Sequence, residues 1–361
     1  MNNKVLVAMS GGVDSSVAAW LLQREGWDCA GATMRLYDGE TAGGDNRTCC
    51  SLDDVEDAKA VSRRLGIPHY VCNFGREFDR HVMAPFADSY QAGLTPNPCI
   101  DCNRHLKFGR LLDWAAELGY DYVATGHYAR LGRDGDRLFL QKAADLSRDQ
   151  SYVLATALTQ ERMARTLFPL GGLTKPQVRQ IAEENGFINA RKRDSQDICF
   201  VPDGDYGAFL ERYTGKTYPP GDILDQSGRT VGRHKGLVRY TLGQRKGLGI
   251  AADAPVYVCG KSVEANTLTV GPDEALYSRA LLAEDWVWGA GCPPSSPVVG
   301  IAAKVRYRQI EQPAQAEILP SGRIKITFDR PQRAVTPGQT AVLYQGDAVL
   351  GGGVIAQVLA E

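Results

Sequence analysis

The spacing of apolar and polar residues divides the chain into two parts of different character. Up to about residue 208, short apolar runs alternate with longer stretches in which apolar residues recur at helical spacing. The apolar runs predict four strands, at Val5–Met9, Cys29–Met34, His69–Cys72 and Asp121–Thr125. Strands that alternate with helices in this way predict an α/β domain whose parallel sheet is covered on both faces.

Start and stop signals predict helices between and after these strands. The first helix runs from about Asp14 to Glu25, and Gly26 ends it. Ser51 and Asp54 form a capping box for a helix that reaches Leu65. Further helical patterns lie at Glu77–Gln91, Arg104–Leu118, Gln150–Ala157, Gln160–Thr166 and Thr174–Asn185.

The pattern changes near Tyr213, where glycine, proline and short alternating runs take over. This is typical of an all-β region. The expected strands are Val256–Cys259, Thr267–Val270, Ala303–Tyr307, Ile324–Phe328, Thr340–Tyr344 and Gly353–Leu359. A chain of 361 residues exceeds the usual size of one core. We therefore expect an α/β catalytic domain at residues 1–208, a small central β-rich domain at 209–278 and a C-terminal β-barrel at 279–361.

Composition and charge narrow the class of protein. The chain is 43% hydrophobic and 23% charged, has no apolar run of membrane-spanning length and lacks a signal peptide's apolar core, so a cytoplasmic location is expected. In that reducing setting, nine cysteines indicate chemistry or metal binding rather than a disulfide framework. The net charge is −1, yet the stretch between Asp225 and Asp253 has no acidic residue and contains Arg229, Arg233, Lys235, Arg239, Arg245 and Lys246. It suits an RNA-binding face or, equally, a solvated sheet surface.

The most distinctive stretch follows the first strand. Ser10, Gly11 and Gly12 form a tight turn that aims backbone N–H groups and a helix N-terminus at one point, where pyrophosphate would bind. No lysine follows Gly12, so this is not a Walker A loop. The string Ser-Gly-Gly-x-Asp-Ser resembles the PP-loop of the ATP-pyrophosphatase superfamily. Ligands of parallel sheets lie beyond the carboxyl ends of the strands, so Met34 and Gly126 are expected beside this loop.

Two cysteine segments have surroundings that suggest reactivity. Cys102 and Cys99 lie in a turn that leads into a helix with basic residues, and such a position favours the thiolate. Cys199 follows the last predicted helix of the first domain. Buried, inert thiols are the alternative for each, and that is what we expect of Cys29, Cys72, Cys259 and Cys292. Cys49 and Cys50 stay ambiguous, since they end a glycine-rich loop, Asp38–Cys50, that we expect to be mobile.

Seven motifs in order resemble the bacterial tRNA-specific 2-thiouridylases. They are Ser10-Gly-Gly-Val-Asp-Ser-Ser16, Asn97-Pro-Cys-Ile-Asp-Cys-Asn103, Thr125-Gly-His-Tyr128, Arg148-Asp-Gln-Ser-Tyr152, Asp194-Ser-Gln-Asp-Ile-Cys-Phe200, Tyr240-Thr-Leu-Gly-Gln-Arg-Lys-Gly-Leu-Gly249 and Arg306-Tyr-Arg-Gln309. The resemblance spans nearly the whole chain and implies an adenine-nucleotide-hydrolase-like PP-loop fold. It also implies ATP-dependent 2-thiolation of the wobble uridine of tRNA.

In this family's reaction, ATP adenylates the 2-oxo oxygen of the uridine, and sulfur then replaces that oxygen. The resemblance implies that Cys199 carries a persulfide and that Cys102 is its partner thiol, which forms a disulfide with Cys199 as sulfur is delivered. The implied ATP-binding residues are Ala8, Met9, Ser10, Gly11, Gly12, Val13, Asp14, Ser15, Met34 and Gly126, with magnesium partly held by Asp14. The implied tRNA-binding residues are Asn97, Pro98, Cys99, His127, Arg148, Asp149, Gln150, Arg306, Tyr307 and Gln339. The implied partners are a tRNA with a wobble uridine and a persulfide-donating sulfur-relay protein, and we expect a monomer.

Other interpretations remain open at this point. Some relatives carry Asp where this chain has Cys99, so Cys99, Cys102 and Cys199 together could instead hold a 4Fe–4S cluster with one open iron. A Cys-x-x-Cys pair is equally a zinc or redox motif. A different PP-loop enzyme, such as a tRNA lysidine synthetase or an amidotransferase-type synthetase, would not need the two thiols. A non-catalytic RNA-binding or sulfur-carrier protein would not release AMP.

Overall fold

The computed structural model describes residues 3–37, 52–192 and 198–359. The expected loop at Asp38–Cys50, the capping residue Ser51 and the stretch Asp194–Asp197 lie outside the described residues. The elements of the first part are β1 (Lys4–Ala8), α1 (Val13–Arg24), β2 (Asp28–Arg35), α2 (Leu52–Leu65), β3 (His69–Asn73), α3 (Gly75–Phe78), α4 (Ala84–Gln91), α5 (Pro98–Asp101), α6 (Leu111–Glu117), β4 (Tyr122–Thr125), β5 (Arg130–Asp134), β6 (Arg137–Gln141), α7 (Ser151–Leu154), α8 (Gln160–Ala164), β7 (Thr166–Leu167), α9 (Lys175–Glu184) and α10 (Tyr206–Thr214). Those of the second part are β8 (Gly221–Leu224), β9 (Thr230–His234), β10 (Tyr257–Ser262), β11 (Thr267–Gly271), β12 (Tyr277–Trp288), β13 (Val298–Lys304), β14 (Gln312–Ile318), β15 (Ile324–Arg333), β16 (Thr340–Gln345) and β17 (Ala348–Leu359).

The N-terminal domain is built on a five-stranded parallel sheet in the order β3-β2-β1-β4-β7. Strand β1 lies at its centre and its side chains alternate between two cores. Val5 and Val7 pack with Val17 of α1 on one face, whereas Leu6 joins a cluster with Phe78 on the other. Burial on both faces explains the continuous apolar run. The predicted α/β class is confirmed.

Two helical stretches of this domain differ from the prediction. A π-helical segment, Asp79–Met83, joins α3 to α4, and another, Cys102–Arg110, joins α5 to α6. The second stretch begins at Pro98 rather than at Arg104. The side chain of Asn97 accepts a hydrogen bond from the Cys99 N–H at 3.2 Å, and proline follows at the first helical position. The helix thus starts upstream of both thiols of the motif.

The central domain is a small mixed sheet in the order β10-β11-β8-β9, in which β11 and β8 are parallel. The C-terminal domain is an antiparallel barrel of six strands, β12-β15-β14-β13-β16-β17, which the pairing of β12 with β17 closes. The predicted central β-rich domain and C-terminal barrel are confirmed. The strand expected at Ala303–Tyr307 is wrong, because β13 ends at Lys304 and Arg306 and Tyr307 lie in a turn.

Strand pairing, hydrogen bonds and apolar packing cross the domain borders. The hairpin β5–β6 leaves the first domain and pairs with β17 of the barrel through Gln141 and Ala348. The Tyr152 hydroxyl, which is buried, donates to the Thr340 carbonyl oxygen at 2.7 Å. The largest hydrophobic cluster also includes Tyr344 of the barrel. These contacts fix the barrel relative to the carboxyl edge of the sheet. In the described ranges, no helix is long and apolar enough to cross a membrane.

Candidate active site

The glycine turn after β1 is tightly packed on α2. Gly11 has φ +72°, and a Cβ added to it would lie 2.3 Å from the carbonyl oxygen of Asp54. Gly12 is the N-cap of α1, and the Ser15 hydroxyl accepts from the Ser10 N–H at 3.3 Å and donates to the Gly12 carbonyl at 3.1 Å. The first N–H groups of a helix have no partner within it, so this turn can bind an anion.

Asn189 supports the turn from behind. Its buried side-chain amide donates to the Gly11 carbonyl oxygen and to the Ser16 hydroxyl, each at 2.9 Å. Sequence reasoning missed this residue, because an isolated asparagine after the α9 stop at Gly186 carries no motif. Its contacts hold the loop in one conformation before any ligand binds.

The ends of three parallel strands meet at this loop. A Cβ on Gly126, just beyond β4, would lie 2.7 Å from the Ser15 nitrogen, so the two backbones are in close contact. Met9 continues β1, is buried and donates its N–H to the Ala32 carbonyl of β2 at 2.8 Å. Met34, half-buried, follows near the end of β2. Ala8, Val13 and the other residues expected at an ATP site therefore surround one edge of the sheet.

Asp14 already has two partners in this loop. Both carboxylate oxygens accept from the Lys175 ammonium at 2.8 Å, and the Tyr128 hydroxyl donates to one of them at 2.9 Å. The Lys175 side chain is 7% exposed and that of Asp14 is 30% exposed. A magnesium ion on Asp14 would need this ion pair to rearrange. Lys175 comes from the first turn of α9, whose start the sequence predicts but whose proximity to the loop it does not.

The two candidate thiols border the same hydrophobic core. Cys102 and Cys199 are half-buried and pack against the cluster that contains Phe78 and Phe200. The carbonyl oxygen of Cys199 accepts from the Tyr37 hydroxyl at 2.5 Å. Tyr37 lies just after β2, so this bond brings the Cys199 segment to the carboxyl edge of the sheet. Far apart in sequence, the two thiols thus border one hydrophobic cluster.

Among its described residues, the structure shows no iron–sulfur site. Across residues 3–37, 52–192 and 198–359, no three His, Cys, Asp or Glu side chains are grouped so that they could hold a metal ion. Cys99 is exposed on α5, whereas Cys102 and Cys199 lie at the core margin. The alternative of a 4Fe–4S cluster held by these three cysteines stays a prediction.

The charges around Cys102 differ from the sequence expectation. Arg104 binds Asp285 of the barrel, and Lys107 contacts His127, with 3.3 Å between Nζ and Nε2. Burial, partly opposed by Arg104 and supported by Asp285, raises the pKa of Asp101 to about 6. Arg104 and Lys107, two of the basic residues of this helix, therefore each bind a partner outside the thiol motif.

Three of the residues expected to contact tRNA make hydrogen bonds inside the protein. Burial and then Lys107 hold the pKa of His127 well below 6.5, so the ring is neutral. Its Nε2 faces an ammonium and must accept, which leaves Nδ1–H to donate to Thr125 at 2.8 Å. Asp149 is buried and accepts from Ser151 and backbone N–H groups, and Gln150 accepts from the Tyr128 N–H. These three organise the loop that presents the exposed Arg148.

The remaining candidate tRNA residues cluster between the first domain and the barrel. Gln339 donates to the Thr95 carbonyl at 2.7 Å, close to the buried Pro98 and exposed Cys99. Arg306 donates to the Ala334 carbonyl at 2.6 Å and to Thr336 at 2.9 Å. Burial raises the pKa of Tyr307, and charges on Asp149 and Cys99 raise it further. The Tyr307 side chain is still 39% exposed, which leaves a face for stacking.

The basic stretch of the central domain is partly neutralised. Arg229 binds Asp225 at 2.8 Å, Arg233 lies 3.9 Å from Asp222, and Arg239 binds Asp205 and Glu211. Lys235, Arg245 and Lys246 are exposed. The RNA-binding face expected from the sequence is therefore reduced to a few side chains.

A glycine turn between the first strand of a parallel sheet and its helix, with the strand ends gathered around it, defines a nucleotide-binding domain of the HUP class. Family models agree: a tRNA methyl transferase HUP domain matches residues 3–203, a tRNA methyl transferase PRC-barrel domain matches 207–272 and an aminomethyltransferase beta-barrel domain matches 278–355.

Curated relatives resemble the chain over almost its full length. The tRNA-specific 2-thiouridylase MnmA of Geobacter metallireducens is 48% identical over 99% of this chain and 98% of its own. That of Heliobacterium modesticaldum is 48% identical over 99% of this chain and 94% of its own. The chain belongs to the MnmA family of tRNA-specific 2-thiouridylases. Among solved structures, a 4-thiouridine synthetase–RNA complex with bound ATP covers 55% of this chain and 45% of its own at a TM-score of 0.36 and 19% identity, a likeness too weak to support an argument.

Proposed function

We propose that the protein catalyses ATP-dependent 2-thiolation of the wobble uridine of tRNA. Membership of the MnmA family supports this proposal, because relatives at 48% identity bear that name. The observation that carries it is that Cys102 and Cys199 border one core, and that the Cys199 segment lies at the carboxyl edge of the sheet, where the glycine loop also lies. Two thiols beside a pyrophosphate-binding loop suit a reaction that activates an oxygen with ATP and then replaces it with sulfur.

The first half-reaction uses the loop at Ser10–Ser15. The N–H groups of the turn and of α1 bind the phosphates, and Met34 and Gly126 contact the adenosine. The 2-oxo oxygen of the uridine attacks the α-phosphorus, and pyrophosphate leaves. Magnesium, when bound, neutralises phosphate charge, with Asp14 as its candidate side-chain ligand. The product is a uridine whose former carbonyl oxygen leaves as part of AMP.

The second half-reaction uses the thiols. A persulfide on Cys199 attacks C2 of the adenylated uridine with its outer sulfur, and AMP departs. The Cys102 thiolate then attacks the inner sulfur, so that a Cys102–Cys199 disulfide forms and the 2-thiouridine is released. Alternatively, Cys102 attacks first and frees sulfide, which then attacks C2. In both orders the outer sulfur is reduced, the thiols are oxidised, and an external dithiol must restore them.

The RNA enters between the first domain and the barrel. Loop bases are already partly unstacked, so flipping a wobble base into a pocket requires little energy. Asn97, Pro98 and Cys99 meet this base, Arg148 and Arg306 approach the backbone, and Tyr307 offers a stacking face. A persulfide-donating sulfur-relay protein loads Cys199, and the enzyme acts as a cytoplasmic monomer.

The proposal is tested with purified protein, ATP, magnesium, a sulfide source and unmodified tRNA, with thionucleoside measured by mass spectrometry. Wild-type protein is expected to form 2-thiouridine and AMP. With a persulfide-loaded donor as sulfur source, Cys102→Ser and Cys199→Ser are each expected to abolish turnover, because each removes a sulfur that must break or form a bond. Cys292→Ser, at an exposed thiol outside the site, is the matched control and retains full activity.

Two results contradict the proposal. Unchanged turnover in both Cys102→Ser and Cys199→Ser would favour a different PP-loop ligase, since such enzymes use an amine rather than sulfur. Absence of AMP release by wild-type protein, together with intact tRNA binding, would favour a non-catalytic RNA-binding or sulfur-carrier protein.

A further inference from the structure

The central domain carries a short glycine loop, residues 243–247, that no step of the proposed reaction uses. We call it the basic loop, because its two charged residues, Arg245 and Lys246, are both cationic and exposed. Over residues 3–37, 52–192 and 198–359, neither side chain has an ion-pair or hydrogen-bond partner. Three other arginines of the same basic stretch are instead paired with carboxylates. The loop therefore holds two charges that the protein does not neutralise.

The backbone of the basic loop offers further donors. Within the part of the chain that the structure describes, the N–H groups of Arg245, Lys246 and Gly247 have no acceptor. All three residues are exposed, so a ligand from solution can reach the loop. Neighbouring N–H donors in a turn, together with cationic side chains, are the ordinary components of a phosphate site.

Hydrogen bonds hold the basic loop in one conformation. The Gln244 side chain accepts from the Thr241 N–H and donates to the Lys246 carbonyl oxygen, each at 3.0 Å. The Gly243 N–H donates to the Val258 carbonyl oxygen at 2.8 Å, and the Val258 N–H donates to the Gln244 carbonyl oxygen at 3.0 Å. These bonds tie the loop to β10. A loop that is already ordered loses little conformational entropy when it binds a ligand.

The basic loop also lies against the barrel, beside the turn at residues 305–309. Gly243 has φ +83°, and a Cβ added to it would lie 3.0 Å from the Ala334 Cβ and 4.0 Å from the Arg306 Nη2. The same Nη2 donates to the Leu242 carbonyl oxygen at 3.4 Å. The loop therefore adjoins the turn whose side chains we propose to contact RNA.

We propose that the basic loop binds phosphate groups of the tRNA backbone, with Arg245 and Lys246 supplying the charge and the loop N–H groups supplying further donors. This inference rests on the proposed function, since its ligand is the substrate RNA. The net charge of the protein is −1, so RNA binding depends on local cationic sites rather than on long-range attraction. An acidic face of the sulfur-relay protein is the competing occupant, and contact with the turn at 305–309 favours RNA.

The test compares Arg245→Gln/Lys246→Gln with two control variants. Arg229→Gln/Arg233→Gln removes the same charge from the same domain, but from arginines that are already paired with carboxylates. Arg245→Lys/Lys246→Arg keeps both charges of the loop. For each variant, the Kd for unmodified tRNA is measured from about 50 to 200 mM salt. The Kd for ATP and the single-turnover thiolation rate at saturating tRNA are measured as well.

The Gln variant of the loop is expected to raise the tRNA Kd about 3- to 30-fold at low salt, because two exposed charge contacts are lost. Each phosphate contact contributes about 0.7 to 0.9 to the slope of log Kd against log salt concentration, so the slope is expected to fall by about 1.5. Both controls are expected to keep the wild-type slope and a Kd within about twofold of wild type. ATP affinity and the rate at saturating tRNA are expected to be unchanged, because the loop contacts RNA away from the reacting atoms.

The inference is overturned if the Gln variant of the loop keeps the wild-type Kd and salt slope. An equal fall of the slope in Arg229→Gln/Arg233→Gln would also overturn it, since overall charge rather than a contact would then be responsible. Unchanged tRNA binding, with slower turnover only when a persulfide-loaded protein supplies the sulfur, would assign the loop to the donor instead. A wild-type protein that binds tRNA without forming 2-thiouridine would reject the proposed function, whereas the Kd and its salt slope would still decide the role of the loop.

Discussion

At the scale of single residues, the loop's charge balance depends on Asp14 and Lys175. The Lys175 ammonium is almost fully buried and lies 2.8 Å from both oxygens of the Asp14 carboxylate. An unpaired carboxylate at this position would repel the phosphates of ATP. The ion pair therefore neutralises the loop before the nucleotide arrives, and Tyr128 keeps the carboxylate oriented.

Lys175→Met is expected to weaken ATP binding about 10- to 100-fold, the range that follows from losing an interaction with a charged group. Adding Asp14→Asn to this variant is expected to restore part of the affinity, because it removes the carboxylate that Lys175 neutralises. Equilibrium binding of ATP to the two variants checks this. No recovery in the double variant would contradict the neutralising role.

Individual contacts of this kind are where sequence reasoning stops. The motif Ser10–Ser16 and the start of α9 can both be recognised in the sequence, yet nothing in the sequence indicates that Lys175 lies against Asp14. The same holds for Asn189 behind the turn. The resemblance assigned His127 and Asp149 to tRNA; both are buried, and their hydrogen bonds serve the protein interior. Their roles in RNA binding stay predictions.

At the scale of elements, the turn between β1 and α1 depends on Gly11. Its φ of +72° and the 2.3 Å gap between an added Cβ and the Asp54 carbonyl oxygen leave no room for a side chain. Gly26, at the end of α1, has φ +85° but no atom within 4 Å of an added Cβ. The two glycines separate the effect of collision from that of backbone conformation.

Gly11→Ala is expected to reduce ATP affinity at least about 10-fold. The turn must move away from α2, and its N–H groups then no longer point at one phosphate position. Gly26→Ala is expected to lower the free energy of unfolding by about 1 kcal/mol and leave ATP binding unchanged. Titration of both variants with ATP, alongside urea unfolding, checks this. Equal ATP affinities in the two variants would contradict the packed-turn interpretation.

The elements that the sequence predicted are those with local signals. Strand β1, the capped helix α9 and the ends at Gly26 and Gly186 follow from apolar runs and turn residues. The hairpin β5–β6 and strands β12 and β14 were missed, because their stability comes from pairing with distant strands of the barrel. The strand expected at Ala303–Tyr307 failed because alternation continues beyond Lys304, whereas the Gln309 side chain binds the Val305 N–H at 2.9 Å and closes a turn.

At the scale of the whole molecule, the domains are joined through shared packing. The parallel sheet carries the glycine loop, and one hydrophobic cluster joins the sheet domain to the barrel. The class of each domain follows from the sequence pattern. Their mutual arrangement does not, because it depends on contacts such as that of Tyr152 with Thr340. Predicted domain boundaries at residues 208 and 278 stay predictions.

The central claim is that a Cys199 persulfide delivers the sulfur and that Cys102 is then oxidised, because it forms a disulfide with Cys199. The most direct measurement is a single turnover of persulfide-loaded protein with ATP and unmodified tRNA, without reductant, followed by peptide and nucleoside mass spectrometry. The account predicts one Cys102–Cys199 disulfide for each 2-thiouridine formed. Full conversion to 2-thiouridine with Cys102 still a thiol, and equally fast conversion by Cys102→Ser, would contradict it.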